Sequence, residues 1–105
     1  MYKLCFFVPK SHLVSVKNAL FEQGAGQLGG YERCAWQVLG QGQFRPLAGS
    51  NPFLGEEGSN HAVDEYRVEM VVADERIKDV LSCLARVHPY QQPAYEYWQV
   101  NPSLD

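Results

Sequence analysis

Two stretches decide the fold of this chain, Tyr2-Lys3-Leu4-Cys5-Phe6-Phe7-Val8 and, in the second half, Tyr66-Arg67-Val68-Glu69-Met70-Val71-Val72. The first is almost uniformly apolar, as a strand buried on both faces is, and the second becomes apolar from Val68 onward. The offset between them also relates later positions in each half. The matching positions are Leu13, Val16 and Leu20 with Ile77, Val80 and Leu84, and then Tyr31-Glu32 with Tyr95-Glu96. The sequence therefore predicts a duplicated βαβ unit.

Local composition predicts where each element begins and ends. Strands are expected at residues 2–8, 30–39, 64–73 and 94–100. The first helix is expected to have Ser11 as its N-cap and to stop at Gly24 and Gly26. Asp74 is expected to cap the second helix, and His88-Pro89 to close it, because proline cannot continue a helix.

A βαββαβ order in 105 residues is the ferredoxin-like plan, an α+β fold. It consists of a four-stranded antiparallel sheet with two helices on one face, and we expect one domain over residues 1–105. The other face of the sheet is left open, and Tyr, Trp and Phe side chains of the second and fourth strands are predicted to lie on it. A large apolar patch usually marks an interface, so we expect self-association through the sheet.

The connection between the two halves, residues 40–63, is not explained by the repeat. Loops beyond about 12–15 residues are uncommon in compact domains and are often functional. Part of this connection is expected to form an extra hairpin. Arg45 carries a fixed fork of donors, and a Gly49-Ser50-Asn51 turn would present backbone N–H groups, so together they are candidates to hold an anion. In the alternative interpretation Arg45 pairs with a carboxylate, and Ser50 and Asn51 satisfy the loop's own backbone.

The bulk composition excludes several classes of protein. The net charge of −3 argues against a nucleic-acid surface, which needs concentrated positive charge. No apolar stretch reaches the roughly 18 residues of a membrane span, and the N-terminus lacks the features of a signal peptide, so we predict a cytoplasmic location and no membrane partner. The three cysteines, Cys5, Cys34 and Cys83, form no CxxC pair and are expected to be reduced thiols.

The ionisable residues give no catalytic motif. His12, His61 and His88 lack metal-ligand spacing, so no cofactor is predicted. His12 is expected to be exposed, His61 to be solvated, and His88 to donate to the last carbonyls of the second helix. A divalent metal site remains open as a shared site between subunits, with His88 and Glu96 as its candidate ligands. No catalytic triad can be argued from order alone, and no catalytic residue is predicted. The acidic pairs Glu56-Glu57 and Asp64-Glu65 are expected to be solvated surface.

Three segments carry a family resemblance that spans nearly the whole chain. They are Gly42-Gln43-Phe44-Arg45-Pro46-Leu47-Ala48-Gly49-Ser50-Asn51-Pro52-Phe53-Leu54-Gly55, then His88-Pro89-Tyr90-Gln91-Gln92-Pro93-Ala94-Tyr95-Glu96, and Cys34-Ala35-Trp36. In this order they closely resemble the domain inserted in YqfO-type, Nif-three-like proteins. The His-Pro-Tyr run also resembles a turn of the CutA proteins. The resemblance implies the PII/CutA-like form of the ferredoxin fold, and with it a homotrimer whose sheets face inward.

The open sheet face and the polar, Gly-rich connection lead us to expect a non-enzymatic, PII/CutA-like oligomeric module for ligand sensing or scaffolding, with residues 40–63 as its contact element. The candidate ligand-binding residues are Arg45, Ser50, Asn51 and Tyr90, and the ligand is expected to be a small anion. One alternative is a CutA-type divalent-metal-binding protein, although Gln91 and Gln92 replace acidic residues of the family at that turn. The other alternative is an accessory subunit for a separate YqfO-like protein, a family whose two-metal site lies in the flanking domain.

Overall fold

The computed structural model describes residues 1–50, 52, 53 and 55–101. The elements in chain order are β1 (Tyr2–Pro9), α1 (Lys10–Glu22), β2 (Trp36–Phe44), β3 (His61–Val72), a 3-10 turn (Asp74–Arg76), α2 (Ile77–Val87) and β4 (Tyr95–Gln99). The four strands form one antiparallel sheet in the order β2-β3-β1-β4. The predicted α+β, ferredoxin-like fold is confirmed.

The core lies between one face of the sheet and the two helices. Alternate residues of β1 and β3 point into it, as the two-residue period of a strand requires. The strands contribute Leu4, Phe6, Val8, Val68, Met70 and Val72, and the helices contribute Leu13, Val16, Leu20, Ile77, Val80 and Leu84. The helical repeat predicted from the sequence therefore marks the buried faces of α1 and α2. Neither of these helices is long and apolar enough to cross a bilayer, and the described residues contain no other candidate.

Both predicted helix caps are wrong, whereas the predicted end of α1 is confirmed. Pro9 occupies the N-cap position of α1. Ser11 is already a residue of the helix, and its hydroxyl oxygen lies 2.8 Å from Nδ1 of His12. Pro9 has a φ of −68° and a ψ of 154°, the extended conformation of an N-cap residue, so the helix begins at Lys10, before the predicted serine cap. Asp74 belongs to the 3-10 turn, where Ala73 takes the cap position without a side-chain bond. Gly24 follows α1 with a φ of +96°, as a helix stop requires.

The hairpin of β2 and β3 extends further than predicted. Residues 40–44 pair with residues 61–65, so the ends of the predicted 40–63 connection are strands and the loop itself is 45–60. At its other end β2 begins at Trp36 instead of residue 30.

The repeat therefore fails for the second strands of the two halves. Tyr31 lies in an isolated bridge with Leu28, whereas Tyr95 begins β4. The chain before β2 folds back on itself because the Gly26 N–H donates to the Val71 carbonyl at 2.7 Å and the Cys34 N–H donates to the Gly26 carbonyl at 2.8 Å.

The open face of the sheet carries the predicted tryptophans but not the tyrosines. Trp36, Val38 and Trp98 are 59%, 44% and 43% exposed, and strand register places them on the side opposite the core. Tyr95 and Tyr97 are paired with Phe6 and Leu4, so they lie on the helix side, and their predicted placement was wrong. Charged residues occupy the middle of the open face, where Nε of Arg67 lies 3.2 Å from the Glu69 carboxylate. The open face is thus the side of the sheet that carries Trp36, Val38, Arg67, Glu69 and Trp98.

Candidate functional site

A cleft of about 440 Å³ lies where the 45–60 loop passes the turn between α2 and β4. Its volume falls within the roughly 300–1,000 Å³ typical of small-molecule sites. Aromatic and aliphatic groups form most of its walls. The lining residues are Phe7, Gln43, Phe44, Arg45, Pro46, Leu47, Ser50, Pro52, Phe53, Glu65, Tyr90, Gln91, Gln92 and Ala94.

The structure brings three of the four predicted ligand-binding residues to this cleft. Arg45, Ser50 and Tyr90 line it, and Asn51 lies outside the described residues. Nε of Arg45 donates to the Gly58 carbonyl at 3.1 Å, and none of the carboxylates in the described part of the chain lies within 4.0 Å of Arg45. The Ser50 hydroxyl oxygen is buried and finds no hydrogen-bond partner among the described residues. A buried hydroxyl of this kind is costly unless something in the cleft satisfies it.

Glu65 is the cleft residue that sequence reasoning missed. The pair Asp64-Glu65 was expected to be solvated, but only Asp64 is exposed, because alternation along β3 turns Glu65 to the other face. Oε2 of Glu65 accepts a 3.4 Å hydrogen bond from the Tyr90 hydroxyl. Burial raises the pKa of the Glu65 carboxyl. Burial, followed by the charge of Glu65, raises the pKa of Tyr90 to about 12.

His88 fixes the wall that Tyr90 forms. Its Nε2 lies 2.6 Å from the Phe7 carbonyl oxygen, to which it donates, and its Nδ1 accepts the Tyr90 N–H at 3.1 Å. The expected contact with the last carbonyls of α2 is therefore replaced by a contact with β1. The imidazole is buried, and burial lowers the pKa of His88. Its ring centroid lies 4.8 Å from that of Tyr90.

Aromatic contacts anchor the 45–60 loop on the outer side of the cleft. The Phe53 ring lies edge-on to His12 at 5.8 Å and 6.1 Å from Tyr90. At the base of the loop, Nε2 of His61 accepts the Glu56 N–H at 2.8 Å. His12 and His61 are thus half-buried parts of the loop's support, in place of the exposed and solvated positions that were expected.

The two metal-ligand candidates lie in different surroundings. Both ring nitrogens of His88 have partners, and Glu96 is opposite Cys5 in the sheet. Residues 1–50, 52, 53 and 55–101 contain no group of three or more His, Cys, Asp and Glu side chains placed to hold a metal ion. A shared site between subunits stays a prediction.

Replacing Gly42 with alanine is expected to separate Glu65 from Tyr90 with little loss of stability. A β-carbon at position 42 would overlap the Glu65 carboxylate, the far end of a flexible side chain that can move away. The pKa of Tyr90 should then fall from about 12 towards its ordinary value, although burial keeps it raised. NMR titration of the tyrosine ring carbons measures this shift. Gly40→Ala is the matched control, since nothing lies within 4 Å of its β-carbon, and an equal shift in both variants would contradict the assignment.

In sequence and in structure, the chain is similar to segments of longer proteins. No family model matches it. The GTP cyclohydrolase 1 type 2 homolog of Halalkalibacterium halodurans is 38% identical over 98 residues, which is 93% of this chain and 26% of that protein. A Bacillus cereus protein related to NIF3 has a TM-score of 0.82 at 30% identity, with 95% of this chain and 25% of that chain covered. The chain thus spans about a quarter of either relative.

A third comparison concerns the fold alone. The periplasmic divalent cation tolerance protein CutA from Archaeoglobus fulgidus has a TM-score of 0.70 at 16% identity. The match covers 99% of this chain and 88% of that protein. The two chains therefore share one architecture over nearly their full lengths.

Proposed function

We propose that this chain, which belongs to the YqfO-type, Nif-three-like family, is a PII/CutA-like module that assembles with copies of itself and binds a small ligand in the cleft beside the 45–60 loop. The cleft carries the proposal. It gathers Arg45, Ser50 and Tyr90 from two separate segments, and it holds a buried hydroxyl without a described partner. An apolar pocket with a few converging polar groups is the arrangement that small-molecule sites share. The module acts in the cytoplasm as a ligand sensor or scaffold and is not itself a catalyst.

Assembly through the open face supplies the oligomer in this proposal, and a trimer is the number that the family resemblance implies. Two tryptophans and a valine stay exposed there, and surfaces of this kind are usually covered by a partner. The charges between them already have partners, because Arg67 and Lys3 both approach Glu69. Covering the part of this face around Glu69 therefore buries charges that are already paired, which costs less than burying isolated ones.

One observation favours a second candidate, an accessory role beside an enzyme. The chain matches about a quarter of a relative whose name refers to a cyclohydrolase, and in this candidate function it serves a separate YqfO-like partner. The CutA-type metal-binding alternative is less well supported, because metal ligation by His88 would cost it one of two hydrogen bonds. Loss of copper or zinc binding on His88→Ala would argue for that alternative.

Replacing Trp36 with glutamate is expected to weaken self-association by at least about 2 kcal/mol, since interface tryptophans are often hot spots and the new charge would lie near Glu69. Native mass spectrometry and sedimentation at micromolar protein measure the effect. Val14→Glu is the control, because Val14 is 63% exposed on α1, away from the open face. A wild-type chain that is monomeric at these concentrations would overturn the assembly proposal.

A further inference from the structure

We infer that the cleft binds a small planar cation with an amidinium or guanidinium edge, held by the Glu65 carboxylate. This inference rests on the proposed function, because it names the ligand class of the same site. It replaces the small anion that Arg45 suggested in the sequence.

The backbone opposite Glu65 leaves room for its carboxylate at the edge of the cleft. Glu65 is opposite Gly40 in the hairpin, and its side chain extends over Gly42, where any β-carbon would overlap it. Glycine at both positions leaves the strand surface flat there. The side chain therefore lies along β2 and presents its carboxylate to the cleft instead of to bulk water.

The Glu65 carboxylate retains most of its capacity to accept hydrogen bonds. A carboxylate has about four acceptor sites on two oxygens. The Tyr90 hydroxyl uses one of these sites, at the long distance of 3.4 Å. Across the described residues, none of the Lys, Arg and His nitrogens lies within 4.0 Å of Glu65. Few contacts therefore offset the cost of removing this half-buried carboxylate from water. A ligand that brings a positive charge and two paired N–H donors would stabilise it most.

The walls of the cleft favour a flat, delocalised cation over a compact ammonium. Phe7, Phe44, Phe53 and Tyr90 all line the space that contains Glu65. Cations over aromatic faces are attracted by the ring quadrupole, and a planar, weakly hydrated group can stack on them as well. The same plane carries two parallel N–H donors, which match the two oxygens of a carboxylate.

Arg45 does not offset Glu65 in this site. It lines the same cleft, but its side chain is exposed and its Nε is committed to the Gly58 carbonyl. Water and salt screen an exposed charge more than a half-buried one. The less screened charge is the negative one, so the cleft favours a cation over a free anion.

The test titrates the assembled chain with three probes of one shape, benzamidine, benzamide and benzoate, and follows cleft resonances by NMR. Benzamidine should bind in a saturable manner. Benzamide should bind at least about tenfold more weakly, because hydrogen bonds to charged groups are worth more than neutral ones, and benzoate should not bind. Glu65→Gln keeps an acceptor for Tyr90 but removes the charge, and should weaken benzamidine binding by at least about tenfold.

Glu57→Gln is the matched control, because it removes the same charge from an exposed residue outside the cleft. It should leave benzamidine binding unchanged. Equal weakening by both variants, or equal binding of benzamidine and benzamide, would overturn the inference. Saturable benzoate binding that depends on Arg45, without benzamidine binding, would also overturn it while the proposed ligand-binding module stands. Failure of all three probes on an assembled chain overturns the inference, whereas a monomeric chain removes the assembly proposal itself.

Discussion

The Gly26→Ala variant is expected to lose about 3 kcal/mol of unfolding free energy, from roughly 1–2 kcal/mol for a left-handed alanine and 1–3 kcal/mol for steric overlap. Gly26 has a φ of +79°. A β-carbon there would lie 2.7 Å from the Cys34 carbonyl oxygen and 2.9 Å from the Cys34 nitrogen. These are backbone atoms, which cannot rotate away as a side chain can. Gly26 also joins Val71 and Cys34 by hydrogen bonds, so the strain spreads to the C-terminal end of β3.

Gly29→Ala separates the two causes of this loss. Gly29 has a φ of +56°, but nothing lies within 4 Å of its β-carbon. It should therefore lose only about 1 kcal/mol, the cost of the backbone conformation alone. Chemical denaturation of both variants at one fixed protein concentration measures the difference, since association contributes to the apparent stability. Equal losses would show that the Cys34 contact imposes no strain.

This glycine illustrates what the sequence could predict and what it could not. Gly24 and Gly26 were recognised as the end of α1 because glycine at a helix terminus is a local feature of the chain. Their contacts are not local. The close approach of Cys34 to Gly26 depends on how residues 27–33 turn, and Arg33 there adopts a φ of +58° that no composition rule foresees. The same turn delays β2 to Trp36 and breaks the repeat of the two halves.

The hairpin extension was missed for a different physical reason. Hydrophobic alternation predicts strands only where one face is buried. Gly40-Gln41-Gly42-Gln43 has no such alternation, and this segment pairs with residues 62–65 through backbone hydrogen bonds. The glycines that hide the strand from sequence analysis also make room for Glu65. The least strand-like part of the sequence therefore forms one side of the cleft.

The candidate site was also predicted only in part. Arg45, Ser50 and Tyr90 were selected by residue type and family resemblance, and they do meet in one cleft. Glu65 was grouped with Asp64 because the two are adjacent in sequence, but adjacent residues in a strand point to opposite faces. The predicted strand at residues 64–73 already contained both carboxylates, so applying this alternation to it would have placed them on opposite faces.

The His88→Ala variant is expected to lose about 3 kcal/mol of unfolding free energy at neutral pH, since two part-buried groups lose their partners at roughly 1–3 kcal/mol each. The Phe7 carbonyl and the Tyr90 N–H are these groups, and the His88 side chain links β1 to the turn that forms the cleft. Ser82→Ala, on the exposed side of α2, is the control and should change stability by less than about 0.5 kcal/mol. A loss no larger than that of the control would contradict the role assigned to His88.

The pH dependence of stability distinguishes loss of the His88 hydrogen bonds from a simple packing defect. Burial, with a smaller contribution from the charge of His12, lowers the pKa of folded His88 below 6.5. Between that lowered pKa and 6.5 the unfolded chain binds more protons at His88 than the folded chain does, so this contribution to stability is complete above 6.5 and is lost as the pH falls. Glu65 has a raised pKa, so its contribution to stability is lost as the pH rises above 4.5, the opposite direction to that of His88. The quantity to compare is therefore the slope of unfolding free energy against pH in wild type and in His88→Ala. Wild type should destabilise more steeply on acidification below 6.5, because protonated Nδ1 can no longer accept the Tyr90 N–H. Parallel stability curves for the two proteins over this range would show that His88 does not take up the proton.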